Sequence, residues 1–287
     1  MSRSVRGARS ITVLGTFAAY RDQRRLTLRP SPQRLLALLA VRGDLPRAEA
    51  GGHLWPDVQD DRALANLRTV LWRARVDAAG FVTEDGEVVR LKDVDVDVTA
   101  LRTWAWRALR AEEQMVPPPQ TDGRELLPGW SDEWCVQPRE ELHLLYLHAL
   151  EAAGHRLLMS GRLGEAATLA AIALSIDPLR ESANRLLIEI HIRNGNSYDA
   201  LKRYTSYATQ LMLETGTVPG PALTAMVEVS AAGRRPPGPA EHEPSSQLHR
   251  TAYLAGASPL AGAVRMSHAP HRPPPPEQRA RHGPPRL

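Results

Sequence analysis

Apolar residues recur along residues 11–92 in two rhythms, a short alternation and then a helical spacing. The run Ile11-Thr-Val-Leu-Gly-Thr-Phe17 predicts a strand, and a second strand is expected at residues 26–28 after the turn-forming Arg21-Asp-Gln-Arg24. Ser31-Pro32 supplies a cap and a helix-starting proline before Leu35, Leu36, Leu38 and Leu39, and Gly43 closes that helix. A weaker helix is expected over residues 47–54, ahead of Trp55-Pro56. Its Gly51-Gly52 pair costs about 1 kcal/mol per glycine against alanine. A third helix runs from Asp60 or Asp61 to about Asp77. In it Leu64, Leu67, Leu71 and Ala74 form an apolar stripe, while Arg62, Asn66, Thr69 and Arg73 form a polar stripe on another face. Beyond Gly80, residues 81–91 read as two short strands about Asp85-Gly86, a strong hairpin signal.

The second half carries only the helical rhythm. Setting Gly161-Arg-Leu-Gly-Glu-Ala166 over Gly195-Asn-Ser-Tyr-Asp-Ala200 gives a shift of 34 residues, the period of a tetratricopeptide helix pair. Asp177-Pro178 and Pro219-Gly220-Pro221 each announce a helix start. Two repeats fall short of the three or so that stand alone, so flanking helices at about 138–159 and 221–232 are expected to cap them.

Composition sets the boundaries. The tail from Arg234 holds 12 of the 24 prolines and 5 of the 10 histidines, a composition expected to be disordered. Residues 114–123, with three consecutive prolines, read as a stiff linker. The expected organisation is a flexible start (1–10), a winged helix-turn-helix (11–113), the linker (114–123), a tetratricopeptide-like helical domain (124–233) and the disordered tail (234–287). The fold class is mostly α with a small β component.

Charge changes the picture more than the net +4 suggests. Residues 1–92 hold 16 Lys and Arg against 10 Asp and Glu, residues 93–233 hold 12 against 19, and the tail holds 8 against 3. A basic head on an acidic body suggests that polyanion binding belongs to the head. Apolar stretches too short for a membrane span, a start lacking a secretory core and the single Cys135 point to a cytoplasmic protein without membrane contact.

Strand, three helices and a hairpin in about 80 residues is the order of a winged helix-turn-helix, whose third helix enters the major groove. Asn66 can pair bidentately with adenine, Arg62 or Arg73 with guanine, and Thr69 can meet a thymine methyl or a phosphate. Arg68 and Arg75 lie toward the edges of the stripe, at phosphate reach. Arg34 and Arg90 complete the candidate DNA contacts. The competing reading is a solvated arginine face on an ordinary amphipathic helix. Against a close-approaching wing stand Glu84, Asp85 and Glu87, which repel phosphate and leave only Arg90 and Lys92 able to touch the backbone.

Catalysis and cofactors find no support. No Gly-rich phosphate loop with a lysine exists, and lysine occurs only at positions 92 and 202. His143 and His148 are five apart, where a helical metal pair would be four apart, so no metal site is expected. Cys135 reads as a packed small residue, and Trp104, Trp106, Trp130 and Trp134 as filling between head and body.

The segments Leu26-Thr-Leu-Arg-Pro-Ser-Pro-Gln-Arg-Leu-Leu-Ala-Leu-Leu39, Leu54-Trp-Pro-Asp57 and Arg62-Ala-Leu-Ala-Asn-Leu-Arg-Thr-Val-Leu-Trp-Arg-Ala-Arg75 resemble the DNA-binding half of the Streptomyces antibiotic regulatory proteins. Glu125-Leu-Leu-Pro-Gly-Trp130, Trp134, Asp177-Pro-Leu-Arg-Glu181 and Gly216-Thr-Val-Pro-Gly-Pro221 resemble that family's bacterial transcriptional activation domain. The likeness covers residues 11–232 in order, in the short form without an ATPase module. It implies an activator of a secondary-metabolite (antibiotic biosynthesis) gene cluster that binds direct repeats in promoter DNA as a homodimer. It further implies contact with RNA polymerase, through the sigma factor and other subunits. The Gly51-Gly52 pair departs from the family's more apolar second helix. The alternative is a helical-repeat adaptor whose degenerate winged helix serves protein contacts.

Overall fold

The computed structural model describes residues 8–110, 117–119 and 125–232. Strand β1 (Arg9–Thr12) pairs antiparallel with β2 (Ala18–Arg21), and β2 with β3 (Arg24–Arg25). Asp22 and Gln23 make the tight turn between the last two, at φ of 50° and 64°. The turn is where the sequence put it, but its flanking strands are not. The expected strand over residues 11–17 breaks after Thr12, because Gly15 turns the chain at φ 87° and Leu14 bridges to Leu126. Leu26 and Leu28, expected in a strand, instead pack on the core edge as they approach the first helix.

Helix α1 (Pro30–Arg42) has eight buried residues and ends at Gly43, which takes φ 85° and donates its N–H to the Leu39 carbonyl. Arg29, not Ser31, holds the cap position, and no side chain caps it. After β4 (Leu45–Pro46), α2 (Arg47–Leu54) buries Gly51 but not Gly52. A Cβ placed on Gly51 would lie 3.6 Å from Ala63, an ordinary contact, and one on Gly52 would meet nothing within 4 Å. Helix α3 (Asp60–Asp77) follows, then the hairpin β5 (Val82–Asp85) and β6 (Val88–Leu91) about Gly86 at φ 59°. These two strands and β4 form a small sheet in the order β4-β6-β5.

Strand β7 (Asp95–Val96) returns to pair parallel with β1, completing the order β3-β2-β1-β7. It leads into α4 (Asp97–Leu109), whose first residue accepts the backbone N–H groups of Val13 and Leu14 at 3.0 Å. No sequence signal pointed to α4, since Val96 at its cap position offers no capping side chain.

The rest is helical: α5 (Glu133–Met159), α6 (Leu163–Ile176), α7 (Glu181–Arg193), α8 (Ser197–Thr215) and α9 (Pro221–Ala232). Helix α5 starts five residues before the expected Pro138 and carries that proline inside it, where it removes one early hydrogen bond. The 34-residue offset is present in the backbone. Gly161 and Gly195 both take the left-handed turn (φ 78° and 75°), and Ala166 and Ala200 are both buried.

One apolar core runs from Ile11 through α1, α3, α4, α5 and α6 to Ile190, with a smaller cluster of Ile188, Ala200, Tyr207, Leu223 and Val227 at the far end. Trp104 stacks edge-on against Tyr146 at 5.8 Å, and Trp130 bridges Phe17 at 6.2 Å and Trp134 at 6.1 Å. Three of the four expected tryptophans thus fill the seam, whereas Trp106 is half exposed. The linker expected at 114–123 lies outside the described residues save 117–119, as do residues 1–7 of the flexible start and the tail 234–287. Arg9 and Ser10, expected within that flexible start, are in β1.

Candidate nucleic-acid interface

Helix α3 rests on α1 and α2 through Ala63, Leu67, Val70, Leu71 and Ala74. The expected Leu64 is only half-buried. At 100° per residue, burial of Ala63 and Val70 turns the solvent face away from the polar stripe. Its centre is Ala65, Trp72 and Val76, with Trp72 and Val76 each 60% exposed. Arg62, Arg68 and Thr69 are exposed beside this line, whereas Asn66 and Arg73 are half-buried on one flank. The sequence pattern missed Trp72 because an aromatic at helical spacing reads first as core.

Several of these side chains are already engaged. Thr69 donates its hydroxyl back to the Ala65 carbonyl at 3.2 Å. Arg75 and Arg47 both hold Glu84, at 2.8 and 2.9 Å, so this wing carboxylate is neutralised by two arginines. Arg90 is spent on the wing itself, against Asp85 and, at 3.7 Å, Asp44. Glu87 therefore keeps its charge free among the described residues of the wing tip. Arg34 faces the body: its guanidinium holds the Asp132 carboxylate and donates to the Leu54 carbonyl at 3.2 Å. The structure gathers Arg62, Arg68 and Thr69 on one open surface, with Asn66 and Arg73 at its margin, but does not bring Arg34 to it. Arg90 sits on the neighbouring wing.

Arg29 fixes the far end of α3 by a two-pronged pair to Asp77, both contacts 2.8 Å. That hydrogen bonding holds the Asp77 carboxyl below its usual range and raises the Arg29 guanidinium. A carboxylate closing a helix opposes the macrodipole, so the pair offsets an unfavourable charge.

A cavity of about 670 Å³ is lined by Leu14, Leu101, Leu126, Leu142, Tyr146 and Ile176 among others. Its Arg139 is occupied by the carbonyls of Leu126, Leu127 and Trp130 and by Glu125 at 2.8 Å. His143 and His148 are both exposed on α5, and among the described residues no cluster has the makings of a metal site. Burial pushes the Cys135 thiol up to about 12, which leaves it protonated and unreactive near neutrality. No helix among the described residues is long and apolar enough to cross a membrane.

Comparison with known proteins bears on the second half of the chain and on the fold. Residues 99–229 match the bacterial transcriptional activator domain, a range that opens inside α4 and closes inside α9. No well-characterised protein matches by sequence search. Among solved structures, Mycobacterium tuberculosis EmbR in complex with a low affinity phosphopeptide is similar with a TM-score of 0.57. The match has 19% identity and covers 80% of this chain and 67% of that one. At that identity the likeness speaks for the fold, a small β-containing head followed by helices. In its activator-domain match and in its fold, the chain resembles regulators of the Streptomyces antibiotic regulatory protein type.

Proposed function

We propose that this bacterial transcriptional activator binds promoter DNA sequence-specifically through α3 and activates through its helical body. The observation that carries this reading is the open face of α3, where Arg62, Arg68 and Thr69 stand clear of the core in a head whose residues 1–92 hold 16 Lys and Arg against 10 Asp and Glu. Exposed arginines on a helix of groove-entering size provide sequence-independent affinity through phosphates, and side chains facing base edges provide the discrimination. Asn66 and Arg73, at the margin of that face, are assigned the adenine and guanine contacts. Arg34 and Arg90 are given no DNA contact, since their charges are used on Asp132 and on Asp85 and Asp44. The acidic body cannot hold a duplex by electrostatics, so dimer formation and RNA polymerase contact are assigned to it. The protein acts without catalysis in the cytoplasm, on a secondary-metabolite gene cluster.

Gel retardation against a promoter duplex, with random duplex as competitor and salt varied, tests this. Asn66→Ala and Arg73→Ala are expected to lose about 1–3 kcal/mol of discrimination each, while Arg68→Ala weakens all sequences alike. Unchanged preference in both variants would show that α3 does not read the operator. The adaptor reading draws on the wing, whose Arg90 is consumed internally by Asp85 and Asp44. It predicts no salt-sensitive retardation at all.

A further inference from the structure

The middle of the α3 surface is apolar, and cations flank it. Ala65, Thr69, Trp72 and Val76 fall within one narrow exposed strip along the helix. Arg62 borders the strip on one side and Arg68 on the other, and the exposed Asp61 lies beside Arg68 at the N-terminal end of the face. Large exposed apolar side chains on a helix are usually explained by a protein partner, but two flanking arginines are poorly matched to an apolar protein surface. They are well matched to a groove walled by phosphates. On the floor of the major groove the bases present one apolar group, the thymine 5-methyl. Indole carries a large apolar face and a single N–H donor, with no acceptor to be left unpaired against base edges. We propose that Trp72 is a specificity-determining residue that reads thymine methyl groups, and that the operator carries thymine opposite the middle of α3.

The proposal rests on the DNA-binding reading above, and its test separates the two. The full-length chain is used to select a preferred site from random-sequence duplex. The selected site is resynthesised with deoxyuridine in place of thymidine, one position at a time, which removes only the methyl group. Wild-type affinity is expected to fall about threefold to tenfold at one or two positions, as loss of a buried methyl contact implies. Trp72→Ala should bind the two duplexes equally, and Trp72→Phe should keep part of the preference, because its smaller ring retains an aromatic apolar face without the N–H donor. An unchanged melting temperature confirms that the exposed substitution leaves the fold intact. Wild-type indifference to uridine overturns the proposal while leaving DNA binding standing. A Trp72→Ala variant that keeps the wild-type ratio also overturns it, as does one that loses activation but no DNA contact, which would assign the indole to the polymerase. Failure to select any preferred duplex would instead remove the DNA-binding reading itself.

Discussion

Asp77 shows how one ion pair ties sequence position to acid sensitivity. The carboxylate is depressed by its hydrogen bonds to Arg29, so the folded state binds its proton less readily than the unfolded chain. A depressed carboxyl contributes stability above its ordinary range, and that contribution disappears as pH falls through the folded value. Melting temperatures of wild type and Asp77→Asn should therefore differ most near neutrality and converge as pH drops from about 5 toward 2. A constant gap across that range would mean that the pair contributes through shape alone. This contact was invisible in the sequence, because residues 29 and 77 are brought together only when α1 and α3 pack. The same holds for Arg34, which sequence reasoning placed on DNA and tertiary packing turned toward Asp132.

At the scale of single elements, α2 is held by its surroundings more than by its own residues. Gly52 sits in regular helix with open space around the position a Cβ would take. Gly52→Ala should stabilise the protein by up to about 1 kcal/mol, read as a higher denaturant midpoint with unchanged slope. A loss of stability would show that the glycine answers a need that its surroundings do not reveal. Helices α1, α2 and α3 and the wing were legible because each has local punctuation: Gly43, Trp55-Pro56, the acidic start at Asp60 and Asp85-Gly86. Helix α4 has none, and α5 hides its start behind Pro138, so both depended on contacts made elsewhere. On α3 the period was legible but the rotation was not. Ala63 and Val70, rather than Leu64, set which side faces the core, and that moved Trp72 to the centre of the surface.

For the whole molecule, α4 is the element that decides how head and body relate. It follows the head in sequence and packs on α5, and its Val98, Leu101, Trp104, Ala105 and Ala108 are buried in the common core. A fragment of residues 1–110 would carry that face with nothing to cover it. It is expected to melt well below the full chain and to bind an apolar dye, as scanning calorimetry and fluorescence would reveal. A fragment as stable as the intact chain would show instead that the two halves are separate folding units.

A shared core also removes slack between the surface assigned to the operator and the surface assigned to the polymerase. Where a slack tether would let the body swing to whatever side the enzyme occupies, a stiff bracket fixes its azimuth around the duplex. Helical phase then becomes part of the promoter's grammar. Inserting about five base pairs, half a turn of B-DNA, between operator and promoter should abolish activation in vitro, and inserting a full turn of roughly ten should restore much of it. Equal activation from both spacings would mean that the bracket bends in use.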